Sequence, residues 1–290
     1  MSMKLSIVIV NWKTKELTAA AIASVFEQTK ALLFEVILID NNSADGSVDA
    51  LRAQFPQITI VENAANLGFG KANNQGMRLA KGEYIMLLNS DTVVLDQALE
   101  KMVTYLDSHP DVMMAGPKVL NADRTLQHAC RRQLPTPTSS FYHLFGLVKI
   151  FRRNAQVNAY KGYNREANVT EPVEALSGAA MMFRRQVFEV TGGFDEQFFM
   201  YAEDLDLSKQ VHDRGWKTMF LHTAEIVHYG GASSKKRRSQ SIMNFYEAMW
   251  LYYRKHWSTK HNLLLQGGVW LGIKTRLGLA LLQNTFKLKK

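Results

Sequence analysis

The chain has 290 residues, which is enough for one large domain or two small ones. Hydrophobic residues make up 47% of it and charged residues 21%, a balance that excludes a chain disordered throughout. Its single cysteine, Cys130, excludes an intramolecular disulfide and a zinc site built from several cysteines.

The net charge of +9 is concentrated at the C-terminus. From Gly231 onward, twelve lysines and arginines face one acid, Glu247, so this tail carries +11 and the first 230 residues carry −2. Phosphate-bearing lipid and nucleic acid are both suitable partners for such a tail. No basic and then apolar leader opens the chain, so we expect a cytoplasmic protein.

Strand-like and helix-like segments alternate over the first 120 residues. Four short apolar, β-branched runs have the composition of strands buried on both faces of a parallel sheet, and they lie at 5–10, 35–40, 58–61 and 83–89. Helical stretches are predicted at 16–29, 47–55, 70–80 and 96–108. This alternation predicts an α/β fold with a mostly parallel central sheet flanked by helices.

The alternation stops after Pro117. The two prolines in residues 131–138 predict an extended loop there, and residues 139–172 favour no particular element. Later segments predict a strand, a helix, a strand and a helix, at 173–183, 203–214, 217–222 and 240–256. We expect a catalytic body of residues 1–230 followed by a basic helical tail of residues 231–290.

Polar side chains close the predicted strands, among them Asn11, Asp40 and Asn89. Ligands of open α/β sheets bind beyond the carboxyl ends of the strands, so these ends predict a shared site. Asp91 follows Asn89 and Ser90, and a carboxylate at such an edge can hold a divalent cation that bridges phosphates.

Two further segments carry candidate chemistry, each with a structural alternative. Glu203 and Asp204 open a predicted helix, where acids interact favourably with the helix dipole, but a carboxylate there can also act as a general base. The aromatic run at 194–201 would supply apolar walls or a sugar-stacking platform. A lone histidine such as His228 is more often structural, but its imidazole could complete a cation site with Asp91.

The glycine-rich turn at 67–76 does not predict a dinucleotide-binding fold. Asn73 stands where the fingerprint requires its third glycine, and the turn follows the third predicted strand instead of the first.

Seven motifs occur in a fixed order along residues 4–230: 6–12, 40–47, 66–76, 88–91, 192–199, 203–207 and His228. With this ordered set the chain resembles the inverting glycosyltransferases of family 2, which have the GT-A nucleotide-sugar fold. Within that family it is most similar to bacterial rhamnosyltransferases that build surface polysaccharides on lipid-linked acceptors.

The resemblance implies a donor site at the first strand ends. Asp40 matches a residue that binds the nucleotide base or ribose, and Asn11 lines the same pocket. The residues that border the nucleoside and sugar are Asn66, Gly68 and Asn73.

The resemblance also implies a cation and a base. Asp91 and His228 match the ligands of Mg²⁺ or Mn²⁺, and Ser90 and Asn89 precede Asp91. Asn89 replaces the first acid of the family's D-x-D motif, and a neutral oxygen ligand weakens cation binding.

The remaining implied roles belong to the acceptor side. Asp204 matches the catalytic base, and Glu203 is its neighbour in the Glu-Asp pair. Arg132 belongs to a loop that we expect near the acceptor or the donor diphosphate.

The resemblance therefore implies single-displacement transfer of a sugar from a nucleoside diphosphate to a hydroxyl of a lipid-linked or polysaccharide acceptor. The favoured donor is dTDP-rhamnose. Two alternatives stay open: a different donor such as a UDP-sugar, and a non-catalytic module that binds nucleotide-sugar or lipid phosphate.

The tail predicts contact with a membrane surface. Residues 262–273 are uncharged but number only twelve, too few to span a bilayer, which takes about 20. Apolar positions flanked by Lys274 and Arg276 favour an interfacial helix on an anionic leaflet, which would make the protein peripheral on the inner face of the cell membrane. The alternative is a helix packed on the body or on a second subunit.

The basic charge of the tail also bears on two other ligands, a diphosphate and nucleic acid. The cluster at 235–238 is either a solvated loop or a diphosphate clamp. No aromatic-basic recognition motif accompanies the charge, so nucleic acid is not expected as a partner.

Overall fold

A computed structural model describes residues 2–145, 166–231 and 238–288. Its first half contains the predicted alternation. The strands there are β1 (Leu5–Asn11), β2 (Phe34–Asp40), β3 (Thr59–Glu62), β4 (Tyr84–Asn89), β5 (Thr92–Val94) and β6 (Val112–Leu120). The helices are α1 (Lys15–Gln28), α2 (Ser47–Gln54), α3 (Phe69–Leu79) and α4 (Ala98–Ser108).

The second half is less regular. Its strands are β7 (Arg131–Arg132), β8 (Glu171–Pro172), β9 (Ala175–Leu176), β10 (Ala180–Arg184) and β11 (Lys217–His228). Its helices are α5 (Pro137–Leu144), α6 (Arg185–Thr191), α7 (Glu203–Asp213), α8 (Arg238–His256) and α9 (Leu263–Leu288).

One central sheet runs through both halves, in the order β3-β2-β1-β4-β10-β6-β11-β5, with β8 also paired to β11. β1 is parallel to β2 and β4, and β6 is parallel to β11, whereas β10 runs antiparallel between β4 and β6. Apolar side chains of the central strands are completely buried, among them Ile7, Ile37 and Leu87. The expected α/β fold with a mostly parallel sheet is confirmed.

A glycine sets the distance between α3 and the sheet. A Cβ atom on Gly76 would collide with the side chain of Val8 in β1. Because glycine allows this close approach, α3 lies directly on the sheet and its N-terminus reaches the carboxyl ends of β1 and β2.

The strand predictions differ from the structure after residue 90: the run at 173–183 contains a turn, β5 and β6 were not predicted, and β11 extends to His228 instead of ending at residue 222. The segment at 173–183 is not one strand, because a turn at 177–179 separates β9 from β10. β6 was not predicted, since it contains Gly116 and Pro117, which are uncommon inside strands. A Cβ on Gly116 would collide with Leu176, and β10 pairs with β6 only at Met114 and Ala115, before the proline.

The predicted extended loop at 131–138 was wrong at its end, where α5 begins with Pro137. Proline is tolerated in the first helical position, because its missing N–H would have no intrahelical partner there. Thr136 and Ser139 exchange hydrogen bonds at the start of this helix: the Ser139 hydroxyl accepts from the Thr136 N–H at 2.9 Å, and the Thr136 hydroxyl accepts from the Ser139 N–H at 3.1 Å.

The tail forms two helices that contact each other, α8 and α9. Over the three ranges that the structure covers, no helix is both long and apolar enough to cross a membrane. Several large apolar side chains of α9 are exposed: Leu263, Leu264, Trp270, Leu271, Leu282 and Phe286. Of the proposed clamp at 235–238, only Arg238 lies within the described residues.

Candidate active site

A hydrogen-bonded group, here called the strand-end cluster, lies where β1 and β2 end, and it consists of Asn11, Asp40, Asn41, Ser43 and Asn66. The amide of Asn11 donates to Asp40 Oδ1 at 2.7 Å and to the Ser43 hydroxyl at 3.0 Å. Asp40 Oδ2 accepts from the Ser43 N–H at 2.9 Å. Asn11 is completely buried, and its hydrogen bond fixes the orientation of the Asp40 carboxylate.

Asn41 connects the strand-end cluster to the glycine-rich turn. Its amide donates to Asn66 Oδ1 at 2.9 Å, and its Oδ1 accepts from the Leu67 N–H at 3.0 Å. Sequence reasoning did not single out Asn41 or Ser43, although both lie in the quoted motif at 40–47.

The glycine-rich turn at 67–76 contacts the aromatic run at 194–201, which precedes α7. Gly68 has φ +88°, and a Cβ there would come within 2.5 Å of the Phe199 carbonyl oxygen. The N–H of Phe69 donates to that oxygen at 2.8 Å. Asn73 lies one turn further along α3, where it is buried and its amide donates to the Phe69 carbonyl oxygen at 2.9 Å.

A second group lies at the end of β4 and contains Asn89, Asp91 and His228. Nε2 of His228 is 3.1 Å from Asp91 Oδ1 and 3.3 Å from the Asn89 amide nitrogen. Ser90 connects this group to the first one, because its hydroxyl is 3.0 Å from that of Thr14, which donates to Asn11. The predicted proximity of Asp91 and His228 is present in the structure.

Gln127, which sequence reasoning missed, fixes the tautomer of His228. The Gln127 amide donates to the His228 carbonyl oxygen at 2.8 Å, so its Oε1 accepts from Nδ1 at 3.0 Å. In the neutral ring Nε2 then has no proton and points a lone pair at the Asp91 carboxylate. As an acceptor, Nε2 can take a hydrogen bond from the Asn89 amide at 3.3 Å.

The same group fits a divalent cation by its chemistry. Oδ1 of Asn89 is buried and has no hydrogen-bond partner in residues 2–145, 166–231 and 238–288, which is unusual for an amide oxygen. Carboxylate, amide oxygen and imidazole are all ligands of Mg²⁺ or Mn²⁺. Among the described residues, however, no three or more His, Cys, Asp or Glu side chains are grouped for a metal ion.

The acidic pair Glu203 and Asp204 begins α7. Asp204 Oδ2 accepts from Arg132 at 2.6 Å and from the Gly178 N–H at 2.9 Å. Arg132 also donates to the Leu176 carbonyl oxygen at 3.0 Å, so in this structure it holds the carboxylate of Asp204.

The turn at 177–179 joins the acidic pair to the end of β4. Gly178 donates to Asp204, and the carbonyl oxygen of the next residue, Ala179, accepts from the Asn89 N–H at 2.9 Å. Consecutive residues of one turn therefore bind both the candidate base and the strand end that carries the candidate cation ligands. This turn could not be seen in the apolar pattern at 173–183.

Glu203 is buried, and its Oε2 has no hydrogen-bond partner within the described part of the chain. Burial, and then the negative charge of Asp204, raise the pKa of Glu203 to about 8. A neutral Glu203 beside an ionised Asp204 avoids the repulsion between two adjacent carboxylates.

A buried ion network attaches α7 to the tail. Asp206 is completely buried, and its carboxylate contacts Lys255 at 3.0 Å and His256 at 2.7 Å. Burial alone would raise the pKa of Asp206, but the hydrogen bonds from His256 and Lys255 outweigh it and lower this pKa below its ordinary value. The tail helix α8 thus helps to position the helix that carries Asp204.

A cavity of about 800 Å³ opens on the acidic pair, and it is called here the tail cavity. Its walls come from α5, the start of α7, and both tail helices, and they are mostly aromatic and aliphatic. Among the residues that the structure describes, its charged lining residues are Arg132, Glu203, Asp204 and Arg276. Such a volume lies within the roughly 300–1,000 Å³ of small-molecule sites.

Comparison with known proteins identifies the family. The sequence model of glycosyl transferase family 2 matches residues 6–192, more than half of the chain, and that of glycosyl transferase family 21 matches residues 160–241. The chain belongs to glycosyl transferase family 2, and it is therefore a glycosyltransferase.

One curated relative is the N-acetylglucosaminyl-diphospho-decaprenol L-rhamnosyltransferase of Mycobacterium tuberculosis (strain ATCC 25618 / H37Rv). It is 27% identical over 228 residues, which cover 75% of this chain and 73% of the relative. The expected similarity to rhamnosyltransferases is confirmed at this level of identity.

Two solved structures share the fold. S. aureus TarS 1–349 in complex with UDP has a TM-score of 0.57 and 16% identity, covering 94% of this chain and 71% of that chain. GalNAc-T7 with UDP, GalNAc and Mn²⁺ also has a TM-score of 0.57 and 16% identity, covering 85% of this chain and 47% of that chain.

Proposed function

We propose that this glycosyltransferase transfers L-rhamnose from dTDP-rhamnose to a hydroxyl of a lipid-linked glycan, with inversion at the anomeric carbon. The observation that carries the proposal is the turn at 177–179, which contacts both Asp204 and the end of β4. The printed activity of the mycobacterial relative supports both the rhamnosyl donor and a lipid-diphosphate acceptor.

The proposed reaction is a single displacement with Asp204 as the base. Asp204 takes the proton of the acceptor hydroxyl, and the acceptor oxygen bonds to the anomeric carbon of the donor. The bond from that carbon to the diphosphate oxygen breaks, and the nucleoside diphosphate leaves with the electron pair. Since there is no covalent enzyme intermediate, one base is sufficient.

Arg132 has to release Asp204 during this reaction. The Arg132 guanidinium and the Gly178 N–H both donate to Oδ2 of Asp204, and the Leu205 N–H donates to its Oδ1 at 2.8 Å. An ion-paired carboxylate is a weak proton acceptor. We propose that an anionic group of the bound substrates draws Arg132 away, which agrees with its expected place near a diphosphate.

The donor site proposed here is the strand-end cluster, which includes Asn66, with Gly68 and Asn73 beside it. Asn89, Asp91 and His228 would hold a divalent cation, and Mn²⁺ is present in one structural neighbour. When bound, this cation would stabilise the negative charge of the departing diphosphate.

We also propose that the tail, residues 231–290, binds the surface of an anionic membrane beside a catalytic body of residues 1–230. The exposed leucines, Trp270 and Phe286 of α9, together with its basic residues, suit such a surface. Truncation after Trp257 should abolish sedimentation with phosphatidylglycerol vesicles, with phosphatidylcholine vesicles as the control. Unchanged sedimentation would contradict membrane binding by α9.

The donor is tested by thermal unfolding followed by a transfer assay. We expect dTDP, and then UDP, to raise the melting temperature in the presence of Mg²⁺ or Mn²⁺, because a ligand of the folded state alone stabilises it. The stabilising nucleotide is then tested as dTDP-rhamnose or as a UDP-sugar with a lipid-diphosphate acceptor. Binding without transfer would indicate the non-catalytic module instead.

A further inference from the structure

The tail cavity differs in chemistry from the donor side of the site. Aromatic and aliphatic side chains form most of its wall, including Phe141, Tyr201, Tyr252 and Ile273. A free sugar needs polar partners along its whole surface, but polar groups in this cavity are few. The walls therefore favour a hydrocarbon chain, and the presence of Asp204 in the same cavity makes that chain part of a substrate.

Two glycines of α9 keep the tail cavity open. Gly268 and Gly272 are one helical turn apart and both line it. Counting described residues alone, a Cβ on Gly268 would meet no atom within 4 Å, and a Cβ on Gly272 would meet the Phe145 ring at 3.6 Å. Glycine is a poor helix former, and neither glycine is needed for close packing against another element. The missing side chains instead leave space in the tail cavity.

A positive charge faces the same space. Arg276 lies one turn beyond Gly272 and lines the cavity, and its Nε is buried without a hydrogen-bond partner among the described residues. A buried guanidinium nitrogen normally has an acceptor. A phosphate oxygen of a ligand would supply one.

The mouth of the cavity is apolar as well. Phe141, Phe145 and Leu265 line it and are each 40% or more exposed. These side chains continue toward the exposed leucines at the start of α9, Leu263 and Leu264. These exposed apolar side chains suit the entry of a lipid chain from a membrane surface.

We propose that the tail cavity binds the first isoprenoid units of a diphosphate-linked lipid acceptor, with Arg276 as a ligand of its phosphate. This inference rests on the proposed function and deepens it, because it makes α9 a wall of the acceptor site. The lipid chain then aligns the attached sugar with Asp204.

The test measures binding of a chain-length series to the full-length protein by calorimetry, using inorganic diphosphate and then dimethylallyl, geranyl and farnesyl diphosphate. We expect each added isoprene unit to tighten binding by about tenfold until the cavity is filled. Equal affinity along the series in the wild-type protein would overturn the proposal. So would complete displacement of farnesyl diphosphate by short-chain phosphatidylglycerol at equal concentration, which would indicate a general lipid site.

Three variants locate the binding in the cavity. Gly268→Phe fills it and should abolish the dependence on chain length, whereas the matched control Gly267→Phe, on the neighbouring residue outside the lining, should retain it. Arg276→Gln should weaken binding of every member of the series, by about tenfold, with the chain-length dependence intact. The same effect from Gly267→Phe and Gly268→Phe would contradict the assignment, and melting temperatures verify that each variant is folded.

Thermal unfolding of the wild-type protein with nucleotides tests the proposed function independently of the lipid site. If nucleotides fail to stabilise the chain but the chain-length dependence is present, the proposed function fails and the lipid site remains. If nucleotides bind and chain length has no effect, the lipid site fails and the proposed donor side remains.

Discussion

The two sides of the candidate active site satisfy their polar groups in different ways. In the strand-end cluster the side chains bond to each other: both oxygens of Asp40 accept hydrogen bonds, and so does Oδ1 of Asn41. In the tail cavity, Glu203 Oε2 and Arg276 Nε are buried without partners among the described residues. A satisfied network is rigid before a ligand arrives, whereas unsatisfied groups are completed by one. If the proposed function holds, the donor side is pre-formed and the acceptor side is completed by its substrate.

The largest expected effect comes from Asp204→Asn, which should break the acceptor side alone. Loss of the base should reduce transfer by about 10²–10⁴-fold, as measured by product formation at saturating donor. Nucleotide stabilisation should be unchanged, because the donor side is intact. Asp213→Asn is the matched control, since Asp213 is half-exposed on the same helix and pairs with Lys209. Transfer close to the wild-type rate in Asp204→Asn would remove this residue from the role of base.

His228→Ala tests the group between the two sides. The Mg²⁺ or Mn²⁺ concentration that gives half-maximal activity should rise by about 10–100-fold, because a ligand and its hydrogen-bonded support are lost. His222→Ala serves as the control, since that histidine is on the same strand and contacts Thr170. Identical cation titrations for the His228 variant and the wild type would contradict a cation site here.

Asp40→Asn should disturb the pre-formed donor side. Both carboxylate oxygens accept hydrogen bonds, and an amide NH₂ group cannot replace one of them. We expect the donor KM to rise by about tenfold with little change in kcat, as one hydrogen bond to a charged group is lost. The control is Asp49→Asn on exposed α2. A change in kcat with an unchanged donor KM would contradict the assignment of Asp40 to the donor side.

Glu203→Gln should give the smallest effect, a change in the pH dependence of stability. Folding raises the pKa of Glu203 from 4.5 to about 8, so the folded state binds the extra proton between these values. Its contribution to stability is present below about pH 4.5 and is lost as the pH rises through about 8. The glutamine variant should therefore melt several degrees above the wild type at pH 9 and show a smaller difference at pH 5. Parallel melting curves across this range would contradict a buried, protonated Glu203.

The donor side could be predicted from sequence to a large extent. β1, β2 and β4 were predicted to within one or two residues, because strands buried on both faces read as continuous apolar runs. Parallel strands place their carboxyl ends at one edge, so Asn11 and Asp40 could be expected together. The partner of His228, Gln127, had no such signal, since it lies in a short irregular segment.

On the acceptor side, Arg132, Glu203 and Asp204 were singled out from the sequence, but their contacts could not be predicted, because distant segments determine them. Arg132 and Asp204 are 72 positions apart, and no periodic pattern connects them. The turn at Gly178 interrupts an apolar run that is otherwise typical of one strand. In the sequence, Gly268 is one residue of an uncharged stretch. Its role in the cavity depends on its position there with residues of α5 and α7.

The contact between Asp206 and the end of α8 has a consequence for protein engineering. A chain cut at residue 230 would lose Lys255 and His256, which both contact the Asp206 carboxylate on α7. Exchanging the whole C-terminal segment between homologous enzymes as a cassette therefore preserves this attachment only where the incoming segment supplies two such partners. A chimera with its junction after His256 retains this ion network and replaces only the outermost helix.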